Sequence, residues 1–84
     1  MDKEDIESLG WDFKEEYVNI DTHIVYEKDN GDLLVFLEKY HHIQILKNPY
    51  KNTIPHLGFS GFIKNKNELQ TIIKQLEINQ PNNQ

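Results

Sequence analysis

Four histidines (His23, His41, His42, His56), fourteen carboxylates and no cysteine are the side chains with which this 84-residue chain can hold a metal or move a proton. His41 and His42 are adjacent. On a strand, adjacent side chains point to opposite faces, so the pair cannot grip one ion outside a turn. No histidine has a second one four residues on, and no H-E-x-x-H pattern occurs. We therefore expect no metal, no cofactor and no catalytic residue, the histidines being surface or strand-end residues. A hydrolase or nuclease pairing His23, His41 or His56 with a carboxylate would have to assemble in space, because spacing gives it no support. The absence of cysteine removes disulfides, thiolate sites and a cysteine nucleophile, and fits a reducing cytoplasm, where we expect the protein.

The carboxylates carry a different signal. Asp29, Asn30 and Asp32 around Gly31 faintly suggest a calcium loop, but the full acidic register is missing and a type I′ hairpin at Asn30-Gly31 accounts for the same residues. From Met1 to Glu38, twelve acids face Lys3, Lys14 and Lys28, a net of −9. From Lys39 onward, six lysines face Glu68 and Glu77, a net of +4, and the whole chain is at −5. A field of the first sign repels nucleic acid and attracts basic protein surface. The candidate partner-binding residues are accordingly Asp12, Glu15, Glu16, Asp21, Glu27, Asp29 and Asp32. All nine basic residues are lysine, so no guanidinium fork is present to read phosphate or guanine in bidentate fashion. The alternative surface is a set of lysines interleaved with tyrosines, Lys39, Tyr40, Lys47, Tyr50, Lys51, Lys64 and Lys66, able to hold single-stranded nucleic acid by charge and stacking. Trp11 suits an interface anchor, but the keystone of a small core is the preferred reading.

The elements that must position these side chains follow from pattern. A chain of this length makes one domain and buries only about 60 to 65 per cent of its unfolded surface. Lys3 to Leu9 reads as a short helix, capped by Asp2 and stopped by Gly10. Trp11 to Val18, Thr22 to Glu27, Leu33 to Leu37 and His42 to Leu46 read as strands, with turns at Asn19 to Asp21, Lys28 to Asp32 and Glu38 to His41. Leu33 to Leu37 is nearly continuous in apolar residues, which predicts a central strand covered on both sides for part of its length. Two prolines and two asparagines between Lys47 and His56 predict an irregular loop. Phe59 to Ile63 is a last strand that bends around two glycines. It turns into a helix with Leu69, Ile72, Ile73 and Leu76 on one stripe, for which Asn65 and Glu68 form a capping box. The prediction is an α+β fold: a short N-terminal helix, a four- to five-stranded antiparallel meander, and one C-terminal helix packed on the sheet. Residues 1–78 form the domain and 79–84, without an apolar side chain, a disordered tail. The acidic N-terminus does not read as a signal peptide, and no run is long enough for a membrane span.

The layout from Leu9-Gly10-Trp11 through short hairpins to the junction Gly61-Phe62-Ile63-Lys64-Asn65-Lys66-Asn67-Glu68-Leu69, closing on Ile73-Lys74-Gln75-Leu76, resembles small uncharacterised domains of phages and prophages from AT-rich bacteria. The resemblance spans about residues 9 to 78 and rests chiefly on the strand-to-helix junction. It implies a viral accessory protein, similar to inhibitors of host defence, including anti-CRISPR proteins that bind a nuclease or its guide. It brings no catalytic residue to any position. The function expected is that of a non-enzymatic binding protein whose acidic surface meets a basic protein partner, such as a nucleoprotein effector. Direct binding of single-stranded RNA through the lysine and tyrosine set is the alternative.

Overall fold

The computed structural model describes residues 1–18, 21–48 and 56–78. Its elements are α1 (Lys3–Ser8), β1 (Asp12–Tyr17), β2 (His23–Glu27), β3 (Leu33–Leu37), a single 3-10 turn (Glu38–Tyr40), β4 (His42–Lys47), β5 (His56–Phe62) and α2 (Lys66–Ile78). The five strands form one antiparallel sheet in sequence order. This is the expected α+β arrangement, with five strands. The expected turn at Asn19, the loop centre at 49–55, and the tail at 79–84 lie outside the described residues.

Each helix begins where its side chains replace missing backbone acceptors. At α1, Asp5 N–H donates to Asp2 Oδ1 (3.1 Å) and Asp2 N–H donates to Asp5 Oδ2 (3.0 Å), a reciprocal cap. At α2, Glu68 N–H donates to Asn65 Oδ1 (2.9 Å) as expected, but the Glu68 carboxylate accepts from Lys64 N–H (2.6 Å) rather than from the cap residue. The cap therefore reaches one residue further into the preceding segment and fixes the angle at which β5 enters the helix.

The register sorts side chains by face. Tyr26, Leu34, Ile45 and Phe59 share one row, and Ile24, Phe36 and Ile43 the next. Together with Ile6 of α1, Trp11, Ile63 and Leu69 of α2, these strands build one core, with Phe59, Ile72, Ile73 and Leu76 packed against it. Both helices thus draw on the same sheet face. Burying each large aliphatic side chain there stabilises the fold by about 1.5–3 kcal/mol. Trp11 is 3% exposed and belongs to the core, as its preferred reading had it.

Two expectations need correction. β3 is central but covered on one face: Leu34 and Phe36 are buried, whereas Leu33, Val35 and Leu37 are half-exposed. The continuous apolar run reflects a greasy open face rather than a second layer among the described residues. The β2–β3 turn is also not type I′. Gly31 N–H donates to Lys28 C=O (2.9 Å), Lys28 N–H donates to Asp32 C=O (3.0 Å), and of the turn residues only Gly31 has positive φ (92°). A three-residue loop closed by a left-handed glycine gives the same hairpin signal.

Candidate interaction surface

The face of the sheet opposite the helices carries three rows of side chains. Tyr17, His23, Leu37, His42 and Phe62 form one; Glu15, Val25, Val35, Gln44 and Ser60 the next; Glu27, Leu33, Leu46 and Leu57 the third, with Asp12 at its β1 end. Its middle is aliphatic and its β1 end is acidic. Phe62 (74%) and Leu57 (56%) on β5 are among the most exposed large apolar residues described, and Val25, Leu33, Val35, Leu37 and Leu46 are half-exposed. No described segment lies across them. A contiguous apolar patch of this kind marks an interaction site more often than a solvated surface.

The acidic candidates do not form one patch. Asp12, Glu15 and Glu27 share the outer face. Glu16 falls in register with Ile24, on the helix side, and Asp29 is exposed at the hairpin tip. Asp21 accepts a hydrogen bond from the Tyr40 hydroxyl (3.3 Å). Glu27 is paired with Lys14 at 3.3 Å, an exposed contact worth little in itself. The Tyr17 hydroxyl donates to the Glu15 carboxylate, and that bond raises the pKa of the phenol above its ordinary value.

Asp32 and Lys47 leave both candidate surfaces. Lys47 Nζ lies 2.6 Å from Asp32 Oδ2 with both side chains buried, so each cancels the other's charge inside the fold. Asp32 Oδ2 also accepts from Asn30 Nδ2 (3.2 Å), and Oδ1 accepts from Asn48 N–H (2.9 Å). The register explains the meeting: Leu33 opposes Leu46, so the next residue out on each strand, Asp32 and Lys47, also face one another.

Of the lysine and tyrosine set, Tyr50 and Lys51 lie outside the described residues. Ile63 N–H donates to His41 C=O (2.9 Å), which draws the 3-10 turn carrying Lys39 and Tyr40 against the β5–α2 junction carrying Lys64 and Lys66. Lys39 Nζ sits 5.5 Å from the centroid of the Tyr40 ring. Next to them, the His42 and Phe62 rings meet edge to face at 5.0 Å. His41, at the end of the 3-10 turn, is left-handed (φ 54°) and exposed, whereas His42 is half-buried against Phe62.

The catalytic possibilities can be read from the same geometry. His42 Nε2 lies 3.4 Å from Ser60 Oγ, and among the described residues His42 Nδ1 meets no acceptor of the kind that orients the imidazole in a serine–histidine pair. Among the described residues no group of three or more His, Asp or Glu side chains converges as metal ligands do. A shallow open depression at the start of α2, lined by Phe62, Asn65, Glu68 and Ile72 among others, contains no histidine. No described helix is long and apolar enough to cross a membrane.

Comparison of the chain with protein-family models, with curated proteins and with solved structures returns no match. The sequence pattern missed the outer face. Its signal was present in Leu33, Val35 and Leu37, whose apolar character was assigned to a second covering layer.

Proposed function

We propose that the chain is a non-enzymatic binding protein whose open sheet face takes a protein partner that presents an apolar strip flanked by basic side chains. The exposure of Phe62 and Leu57, continuous with the half-exposed aliphatic middle of the sheet, carries this reading. Charge selects the partner. Asp12, Glu15 and Glu27 line the β1 side, and a chain at −5 repels a second copy of itself while attracting a cationic surface. An inhibitor of a nucleic-acid-targeting defence system, the role implied by the resemblance described above, falls within this class. Its target would present the basic channel that ordinarily holds nucleic acid. A cytoplasmic setting belongs to the same proposal.

The test is capture of a partner from the native host by the wild-type chain and by a Leu57→Ser, Phe62→Ser variant. Retention of one basic protein by the wild type, its release as salt rises, and its loss in the variant support the reading. Equal retention by both, or retention indifferent to salt, refutes it.

A second reading, direct binding of single-stranded nucleic acid, is favoured by one observation: the bond between Ile63 and His41 ties the turn that carries Lys39 and Tyr40 to the chain just before Lys64. A filter-binding titration of the isolated protein with single-stranded RNA decides between the two. Tight binding that Lys39→Ala and Lys64→Ala weaken supports the second reading; none leaves the first.

A further inference from the structure

Beneath the C-terminal half of α2, a small cavity of about 20 Å³ is lined by Trp11, Lys28, Asn30, Asp32, Ile45, Lys47, Ile73 and Leu76. Its walls join four parts of the fold: the entry to β1, the β2–β3 hairpin, the end of β4 and the helix. One wall residue carries an unpaired polar group: Trp11 is 3% exposed, and among the described residues its Nε1–H has no hydrogen-bond acceptor. A buried donor left in that state costs about 1–3 kcal/mol, a large loss for a domain of this size.

We infer that one ordered water molecule is bound in this cavity, accepting from Trp11 Nε1–H and bridging it to the Asp32–Lys47 pair. The volume is enough to hold an ordered water, and a stable buried water needs two to four polar partners. The chemistry on the walls supplies them. An ionised carboxylate has roughly four acceptor positions. Asp32 uses three, for Lys47 Nζ, Asn30 Nδ2 and Asn48 N–H, and keeps one for a water proton. The Lys47 ammonium has three donors, one of which meets Asp32, so it can give a second to the water oxygen. A cation is excluded by Lys47 and Lys28 on the walls. Lys28 also closes the site from outside, its Nζ lying 4.9 Å from the centroid of the Trp11 ring.

The bound water turns a binary ion pair into a three-way polar junction that ties the Trp11 segment to the hairpin and to β4.

The test needs only the intact chain. In a crystal structure at a resolution that shows ordered solvent, density is expected within hydrogen-bond distance of both Trp11 Nε1 and an Asp32 carboxylate oxygen. In solution, the Trp11 indole proton is expected to give a cross-relaxation peak to water with the sign of a bound molecule. In Trp11→Phe the water loses one partner, and its density should fall or vanish. An empty cavity, a protein acceptor on Nε1, or water density unchanged in Trp11→Phe overturns the inference. Should that variant not fold, the wild-type density and cross-peak decide alone.

Discussion

Lys47 Nζ and Asp32 Oδ2 stand 2.6 Å apart inside the fold, fifteen residues apart in the chain, and the contact locks the end of β4 to the base of the β2–β3 hairpin. Removing one partner leaves the other as an uncompensated buried charge, which costs about 3–5 kcal/mol. Asp32→Leu and Lys47→Met should therefore each lower the urea midpoint sharply. The double variant Asp32→Leu, Lys47→Met should lose much less than the two losses combined, because apolar side chains of similar size tolerate the site. Additive losses would mean that the two charges act independently.

The hairpin itself offers a paired comparison. Gly10 and Gly31 have almost the same φ, 93° and 92°. A Cβ on Gly10 meets nothing within 4 Å, whereas one on Gly31 would lie 2.8 Å from Asn48 Nδ2. Alanine at Gly10 should cost only the left-handed penalty of about 1–2 kcal/mol. Alanine at Gly31 should cost that and the displacement of Asn48, whose backbone N–H holds Asp32. Equal thermal shifts for the two variants would show that the Asn48 contact is slack.

These residues also mark where sequence reading succeeds and stops. Leu69, Ile72, Ile73 and Leu76 announced α2 because helical periodicity is a local property, and Asp2 with Gly10 bounded α1 for the same reason. Asn30-Gly31 announced a hairpin, yet a two-residue and a three-residue loop share that dipeptide, and the choice depends on how the strands pair. Charge alone predicts exposure, which places Asp32 and Lys47 on opposing surfaces. Their meeting is a consequence of β3–β4 register, which no local pattern encodes. The apolar run of β3 was ambiguous in the same way: whether the second face is covered depends on where both helices go, and Ile6 and Leu69 place them on one side.

Tyr26 predicts a pH dependence. Its side chain is fully buried, its hydroxyl donates to Glu7 Oε2 (3.4 Å), and burial, followed by the Glu7 charge, pushes its pKa from 10.0 to about 12. The unfolded chain loses this proton near the ordinary value while the folded chain keeps it. Stability from this group is thus complete below about pH 10 and declines as pH rises toward 12. The loss is on the order of 2 kcal/mol at the upper end. Tyr26→Phe should flatten that part of the alkaline unfolding profile, apart from what Tyr17 contributes. An unchanged slope would mean that Tyr26 ionises equally well in both states.

The two faces of the sheet should answer differently to truncation. Leu69 is fully buried, and Leu69→Ala should cost about 2–5 kcal/mol through lost burial and the cavity left behind. Phe62 and Leu57 are larger than or equal to Leu69 in apolar size, but more than half of each is already in water. Phe62→Ser and Leu57→Ser should shift stability by no more than about 0.5 kcal/mol. Folding then does not require those side chains to be apolar, which leaves them free to serve the proposed contact. Chemical denaturation of the three variants checks this. If Phe62→Ser proves as damaging as Leu69→Ala, the outer face is part of the core and the proposed interaction surface must be sought along the acidic β1 edge instead.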